Sequence, residues 1–174
     1  MLDTLKFILP ALIANAFPVI FLGSGLIKVR TPIDLNIVLP DGKRLLGPNK
    51  TVEGFLVGVL GGVLVGFCYY FLGYSYLTIM YGLISGLGAM IGDIVNSFIK
   101  RRLNIPSGEP LVPLDQLSFI IVAYGLVRLT NIDYLCFNMG FSLKYLSLAI
   151  VMVMILHPMS NLVAYILKLK DKPW

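Results

Sequence analysis

Charge is scarce in this chain. Asp, Glu, Lys and Arg make up 13% of 174 residues, about half the share usual in soluble domains, and the mean hydropathy is +0.87. A water-soluble globular protein is excluded, and a membrane protein of one domain, residues 1–174, is expected. Histidine occurs once, at His157, so no histidine pair is available for a metal centre. The two cysteines, Cys68 and Cys136, stand in no metal-binding or redox spacing and read as packing residues. There is no A-x-A-like cleavage site and no strongly basic leader ahead of the first apolar run, so that run is read as a retained span. Low-complexity tracts, long internal repeats and a soluble appendage are also lacking.

Apolar sequence is abundant. Five runs, Leu5–Ile27, Phe55–Leu72, Tyr74–Ile99, Leu117–Leu135 and Leu143–Leu169, are each close to the roughly 20 residues that cross about 30 Å of hydrocarbon as a helix. The expectation is an all-α integral membrane protein of five transmembrane helices with two functional cytoplasmic loops. Eleven of the fourteen Lys and Arg residues fall between the first two runs, between the third and fourth, and in the tail. Five spans place these regions on one side, which the positive-inside rule makes cytoplasmic, with the N-terminus outside and the C-terminus inside. Gly54, Gly58, Gly61, Gly62 and Gly66 give the second run a small-residue face suited to close helix packing.

The outer connections are short and nearly uncharged. The inner ones, Lys28 to Glu53 and Lys100 to Gln116, hold nearly all the polar chemistry. In the first, alternation over Ile33 to Leu39 followed by Pro40-Asp41-Gly42 suggests a short β-hairpin. Its GKRLLGPNKT resembles a phosphate-binding P-loop only superficially: Pro48 and Asn49 intervene before Lys50-Thr51, and no βαβ unit surrounds it. What survives is a lysine and a threonine just before a helix N-terminus, which is electropositive.

Lys43, Arg44, Lys50, Lys100, Arg101 and Arg102 would gather on this face. A generic membrane protein would use them for topology and lipid headgroups. Here they are interspersed with Gly47, Pro48, Thr51, Pro106, Ser107 and Gly108, residues that shape backbone and offer donors to phosphate. Asp93 lies inside the third apolar run, where an ionisable side chain is a functional candidate. Ser97, Lys100 and Arg101 share its helical face, so an intrahelical ion pair is the plain alternative. Asp115 opens the fourth run, where it would serve equally as a cap. Together, two aspartates among six cations fit a site for Mg²⁺ and polyphosphate.

His157, in ILHPMSN, stands beside Pro158 and reads as structural. Asn161 nearby, and Asn15 with Pro18 in the first run, would either frame a polar notch or satisfy proline kinks. Glu109 reads as facing water.

KTVEG at 50–54 and SFIKRR at 97–102, with a loop ending in Asp115, resemble the integral-membrane CTP-dependent cytidylyltransferases that include CDP-diacylglycerol synthase. Ser97, Lys100, Arg101 and Asp115 match that family's S-x-x-K-R and later acid. PSGEPLVPLDQ stands where the bacterial and eukaryotic members carry His-Gly-Gly and Asp-Arg. That departure, together with GPNKT, PSGEP, PLDQ and the short length, is similar to the archaeal branch, the CDP-archaeol synthases. The resemblance implies transfer of a cytidylyl group from CTP to an unsaturated archaetidic acid, 2,3-bis-O-geranylgeranyl-sn-glycerol 1-phosphate, with Mg²⁺ and release of pyrophosphate.

On that reading Asp93 and Asp115 hold Mg²⁺. Lys43, Arg44, Lys50, Lys100, Arg101 and Arg102 meet phosphates, and Thr51, Ser97, Ser107 and Gly108 line or shape the site. Partners are CTP, the isoprenoid ether lipid phosphate and membrane lipids, with no nucleic acid. A CTP-dependent polyprenol-type lipid kinase is the nearer rival. A small transporter is the more distant one, disfavoured by the lack of an inverted repeat or polar ladder.

Overall fold

In the computed structural model, residues 1–170 and 172 are described. Six helices follow in order: α1 (Leu2–Gly23), α2 (Val52–Phe71), α3 (Thr78–Arg102), α4 (Leu114–Thr130), α5 (Ile132–Phe137) and α6 (Leu143–Ile166). Four of them, α1, α2, α3 and α6, are long and apolar enough to cross a membrane. With many large apolar side chains exposed on the bundle's periphery, the chain is a multi-pass membrane protein. The apolar run Leu117–Leu135 is not one helix. Asn131 takes a left-handed backbone (φ 51°), which asparagine tolerates, and this separates the 17 residues of α4 from the short α5.

The third helix is central, packed between α2 and α4 and touching α1. Its small residues face both neighbours. A Cβ on Gly62 of α2 would lie 2.5 Å from the Gly82 carbonyl oxygen of α3, and one on Gly92 of α3 would lie 2.5 Å from the Ser118 carbonyl oxygen of α4. Backbone therefore meets backbone on both sides of α3, which small residues alone permit. The glycine face expected in the second run is thus a packing face.

The end of the bundle away from the basic loops is closed by aromatic rings. Phe7 stacks on Phe141 with centroids 5.0 Å apart, and the Tyr81 hydroxyl donates to the Phe7 carbonyl oxygen at 2.6 Å. Asp133, fully buried, receives Arg128 at 3.0 Å and the backbone N–H of Phe141, which ties α4, α5 and the connection to α6 together.

The opposite end gathers the C-termini of α1, α3 and α6 and the N-termini of α2 and α4, with basic residues beside all of them except the start of α4. The loop between α1 and α2 forms no strand. Isolated antiparallel bridges join Val38 to Arg44 and Pro32 to Thr51, and residues 33–36 turn instead of extending, with Leu35 and Asn36 at positive φ. The turn at Pro40-Asp41-Gly42 is present, but the hairpin expected over Ile33 to Leu39 shrinks to one bridge.

Asp34 is the reason. Its buried carboxylate accepts Arg44 Nε at 2.9 Å and Nη2 at 2.7 Å. It also accepts the backbone N–H groups of Asn36, Leu46 and Gly47, each at 3.1 Å. A chain folded around one carboxylate cannot also lie flat as a ladder.

Three outcomes are expected. Gly62→Leu should lower the thermal unfolding midpoint in detergent by more than about 5 °C, because overpacking a backbone contact costs on the order of 3 kcal/mol; an unchanged midpoint would mean the two helices do not touch there. Asp34→Asn should cost on the order of 2 kcal/mol, read as faster proteolysis within residues 28–50. The Arg44 guanidinium holds the Asp34 carboxyl well below its ordinary value of 3.8. Its stabilisation is therefore complete above that value and is lost as pH falls toward the lowered folded-state value. Protease protection of this loop should fall with acidification in wild type and be less acid-dependent in Asp34→Asn.

Candidate active site

A cavity of about 1140 Å³ opens at the basic end of the bundle and runs along α1. Lys50 enters it from the last turn of the first loop. Thr51 follows as the N-cap of α2, its side chain accepting the Gly54 N–H at 3.1 Å. The Thr51 hydroxyl hydrogen is left to donate to a ligand. From α3 come Asp93, Ser97, Lys100 and Arg101, with Asn96 between them, and from α4 comes Asp115. Ser107 and Gly108 of the second loop close one side. Gly108 (φ +86°) and Gly47 (φ +111°) adopt backbone that favours glycine, and a Cβ on Gly47 would lie 3.6 Å from Ser107 Oγ. The two loops therefore meet at this wall.

The acids are paired across elements, not along α3. Asp93 Oδ2 accepts Lys50 Nζ at 2.6 Å. Asp115 accepts Lys100 Nζ at 3.0 and 3.1 Å, Asn96 Nδ2 at 2.5 Å and the Leu111 N–H at 2.7 Å. The intrahelical pair between Asp93 and a cation on its own face, open from spacing alone, does not form. Asp115 is no simple cap either, since its carboxylate reaches back to α3. Lys100, expected at an interface, is buried.

Nine of the sequence-derived residues line this cavity: Lys50, Thr51, Asp93, Ser97, Lys100, Arg101, Ser107, Gly108 and Asp115. Lys43, Arg44 and Arg102 do not. Arg44 serves Asp34. Lys43 Nζ donates to the Arg102 carbonyl oxygen at 3.0 Å, and Arg102 bonds to Asp41 at 2.6 Å and to the Arg44 carbonyl oxygen at 2.7 Å. These three cations brace one loop against the end of α3, because folding the first loop around Asp34 turns them away from the opening. Glu109 is not simply facing water: it accepts Lys172 at 2.6 Å.

Sequence reading missed Asn96. It lies one turn beyond Asp93, a spacing that was visible, but its importance comes from burial: its Oδ1 is buried without a hydrogen-bond partner. The donors fit a hard divalent cation, with two carboxylates and one orphaned amide oxygen, all oxygen ligands. No group of three His, Cys, Asp or Glu side chains occurs among the described residues, so protein alone does not make a closed cage; substrate phosphates and water would complete it, as is usual for Mg²⁺. Arg101 Nε is likewise buried and unpartnered, a donor in want of an anion.

A family model for CDP-archaeol synthase matches residues 1–174. The chain belongs to the CDP-archaeol synthase family. It is 35% identical to the CDP-archaeol synthase of Pyrobaculum islandicum, covering 99% of this chain and 100% of that one. It is 41% identical to that of Methanopyrus kandleri, over 98% and 91%. A solved structure described as an intramembrane enzyme for archaeal membrane lipids biosynthesis superposes with a TM-score of 0.79 at 35% identity, covering 92% of this chain and 94% of the other. The family accounts for the residue types in the cavity: carboxylates, lysines and an arginine at a membrane surface suit a reaction between two phosphates.

Proposed function

We propose that the protein is the CTP-dependent cytidylyltransferase that converts unsaturated archaetidic acid to its CDP-activated form, with release of pyrophosphate. The observation that carries this reading is the single cavity in which Lys50 and Lys100 are held by Asp93 and Asp115 while an apolar wall continues along α1. It joins a polyanion site to hydrocarbon. The whole chain is one catalytic domain, with α4 as the fifth span, completed at its outer end by α5. The basic end, with the C-terminus, faces the cytoplasm, as the charge distribution favours.

A phosphate oxygen of the lipid attacks the α-phosphorus of CTP; the new P–O bond forms as the bond to the β-phosphate oxygen breaks, and pyrophosphate leaves with that electron pair. The acceptor phosphate carries close to two negative charges at neutral pH, so no general base is needed. The obstacle is repulsion between two anions, which the chain reduces with fixed cations. Lys50 and Lys100 bind phosphate oxygens, and their carboxylate partners keep the ammonium groups pointing into the cavity. Arg101 donates to the leaving pyrophosphate, and Thr51, Ser97 and Ser107 supply neutral hydrogen bonds. Asp93, Asp115 and the Asn96 amide oxygen would hold Mg²⁺, which when bound would supply neutralisation of charge on the polyphosphate.

The test is turnover by purified protein of CTP, Mg²⁺ and 2,3-bis-O-geranylgeranyl-sn-glycerol 1-phosphate, with products identified by mass spectrometry. A CDP-lipid and pyrophosphate are expected. Release of CDP with a newly phosphorylated lipid alcohol would instead identify a kinase. Asp93→Asn and Asp115→Asn should each lower kcat by at least about 10²-fold, with the detergent-solubilised protein still folded; wild-type rates in either would remove that acid from the site.

A further inference from the structure

Three polar side chains of the last helix and tail remain unexplained by the reaction as drawn: His157, Asn161 and Lys170. They line the same cavity from α6 and the tail that follows it. After α6 the chain reverses at Lys168 (φ 57°), with the Leu169 N–H donating to the Ala164 carbonyl oxygen at 2.9 Å. The reversal sends Lys170 Nζ back to Asn161 Oδ1 at 3.0 Å. Asn161 Nδ2 in turn lies 3.4 Å from His157 Nδ1, and the His157 ring leans on Phe119 with centroids 6.1 Å apart.

The helix that carries them shares the lining of the cavity with α1. The two are tied at the outer end, where Phe7 packs on Tyr145 at 5.2 Å. They meet again at the inner end, where a Cβ on Gly23 would lie 3.1 Å from the Leu169 carbonyl carbon. Between those two contacts α1 and α6 share the lining of the cavity. Pro158 lies in that stretch, and no α6 residue between Val153 and Ala164 is buried. The cavity forms a cleft between α1 and α6, with Ala16, Val19 and Ile20 on one side and Leu156, Val163 and Leu167 on the other.

An amphiphile standing in this cleft has its chains among those apolar side chains and its headgroup at the basic end. Lys170 and Lys172 line the cavity from the tail after α6; Lys172 bonds to Glu109, whereas Lys170 bonds to Asn161 of α6. Burial pushes the Lys170 ammonium down from its ordinary value, Asp115 acts in the opposite direction, and Lys50 and Lys100 lower it further. Lys50, Lys100, Asp115 and Lys170 line one cavity.

Resting on the reaction proposed above, we infer that Lys170, positioned by Asn161 and His157 at the inner end of the α1–α6 cleft, binds the phosphomonoester of the acceptor lipid, while Lys50, Lys100 and Arg101 serve the nucleotide. Two anions that repel each other then have separate cationic holders on different elements, the tail after α6 for one and the first loop with α3 for the other. The shared reacting atoms lie between them.

The experiment separates the two substrates. In Lys170→Gln the KM for the lipid phosphate should rise about tenfold or more, the loss of one charge-assisted hydrogen bond, with the KM for CTP within twofold of wild type. Lys170→Arg should recover most of the difference, and Asn161→Ala should shift the same constant less. Equilibrium binding of the digeranylgeranylglycerol phosphate and of CTP, each measured alone, should show the same selectivity. A rise in KM for CTP equal to or larger than that for the lipid would assign Lys170 to the nucleotide and overturn the inference; unchanged constants would do the same. If wild type forms no CDP-lipid, the reaction reading fails, and the binding measurements still decide whether Lys170 holds the lipid phosphate.

Discussion

Backbone contact on both sides of α3 is the constraint from which the rest follows. Lys50 precedes α2, Asp93 and Lys100 belong to α3, and Asp115 begins α4. Their carboxylate–ammonium bonds of 2.6 to 3.1 Å require the three helices to lie closer than large side chains would allow. Gly62 and Gly82 set one spacing and Gly92 the other. In a bilayer there is little hydrophobic force between helices, so close packing must supply the association, and here the same packing sets the distances in the site.

The cations divide by what they bind. Those folded into the first loop and the end of α3, Lys43, Arg44 and Arg102, satisfy carboxylates and carbonyl groups of the scaffold. Of those reaching the cavity, Lys50 and Lys100 are held by acids that are themselves oxygen donors for a divalent ion. An ion pair in a partly dry cavity keeps both charges charged without substrate, because each neutralises the other where water is scarce. The scaffold pairs and the cavity pairs look alike in sequence and differ only in which one faces open volume.

Membrane character, the helical class, the basic end and the glycine face were all legible, since each depends on composition or on local periodicity. The same holds for Asp93, whose place inside an apolar run is costly wherever the helix goes. Asp34 was not legible as the organiser of the first loop: an aspartate followed by alternating residues reads as strand until its five hydrogen bonds are known. Asn131 was not legible as a helix break, because apolar residues continue on both sides of it. Lys170 passed for one more tail cation, since only the reversal at Lys168 points it inward.

Sequence by itself determined what must be buried in lipid, which end carries charge, and which residue types could neutralise phosphate, because hydropathy and charge act residue by residue. Tertiary structure decided the partners: Lys50 with Asp93, Lys100 with Asp115, Arg44 with Asp34, and Lys170 with Asn161. Those pairings join residues 9 to 43 positions apart. Their distances are set by how closely helices pack and where loops turn, and no local pattern along the chain encodes either.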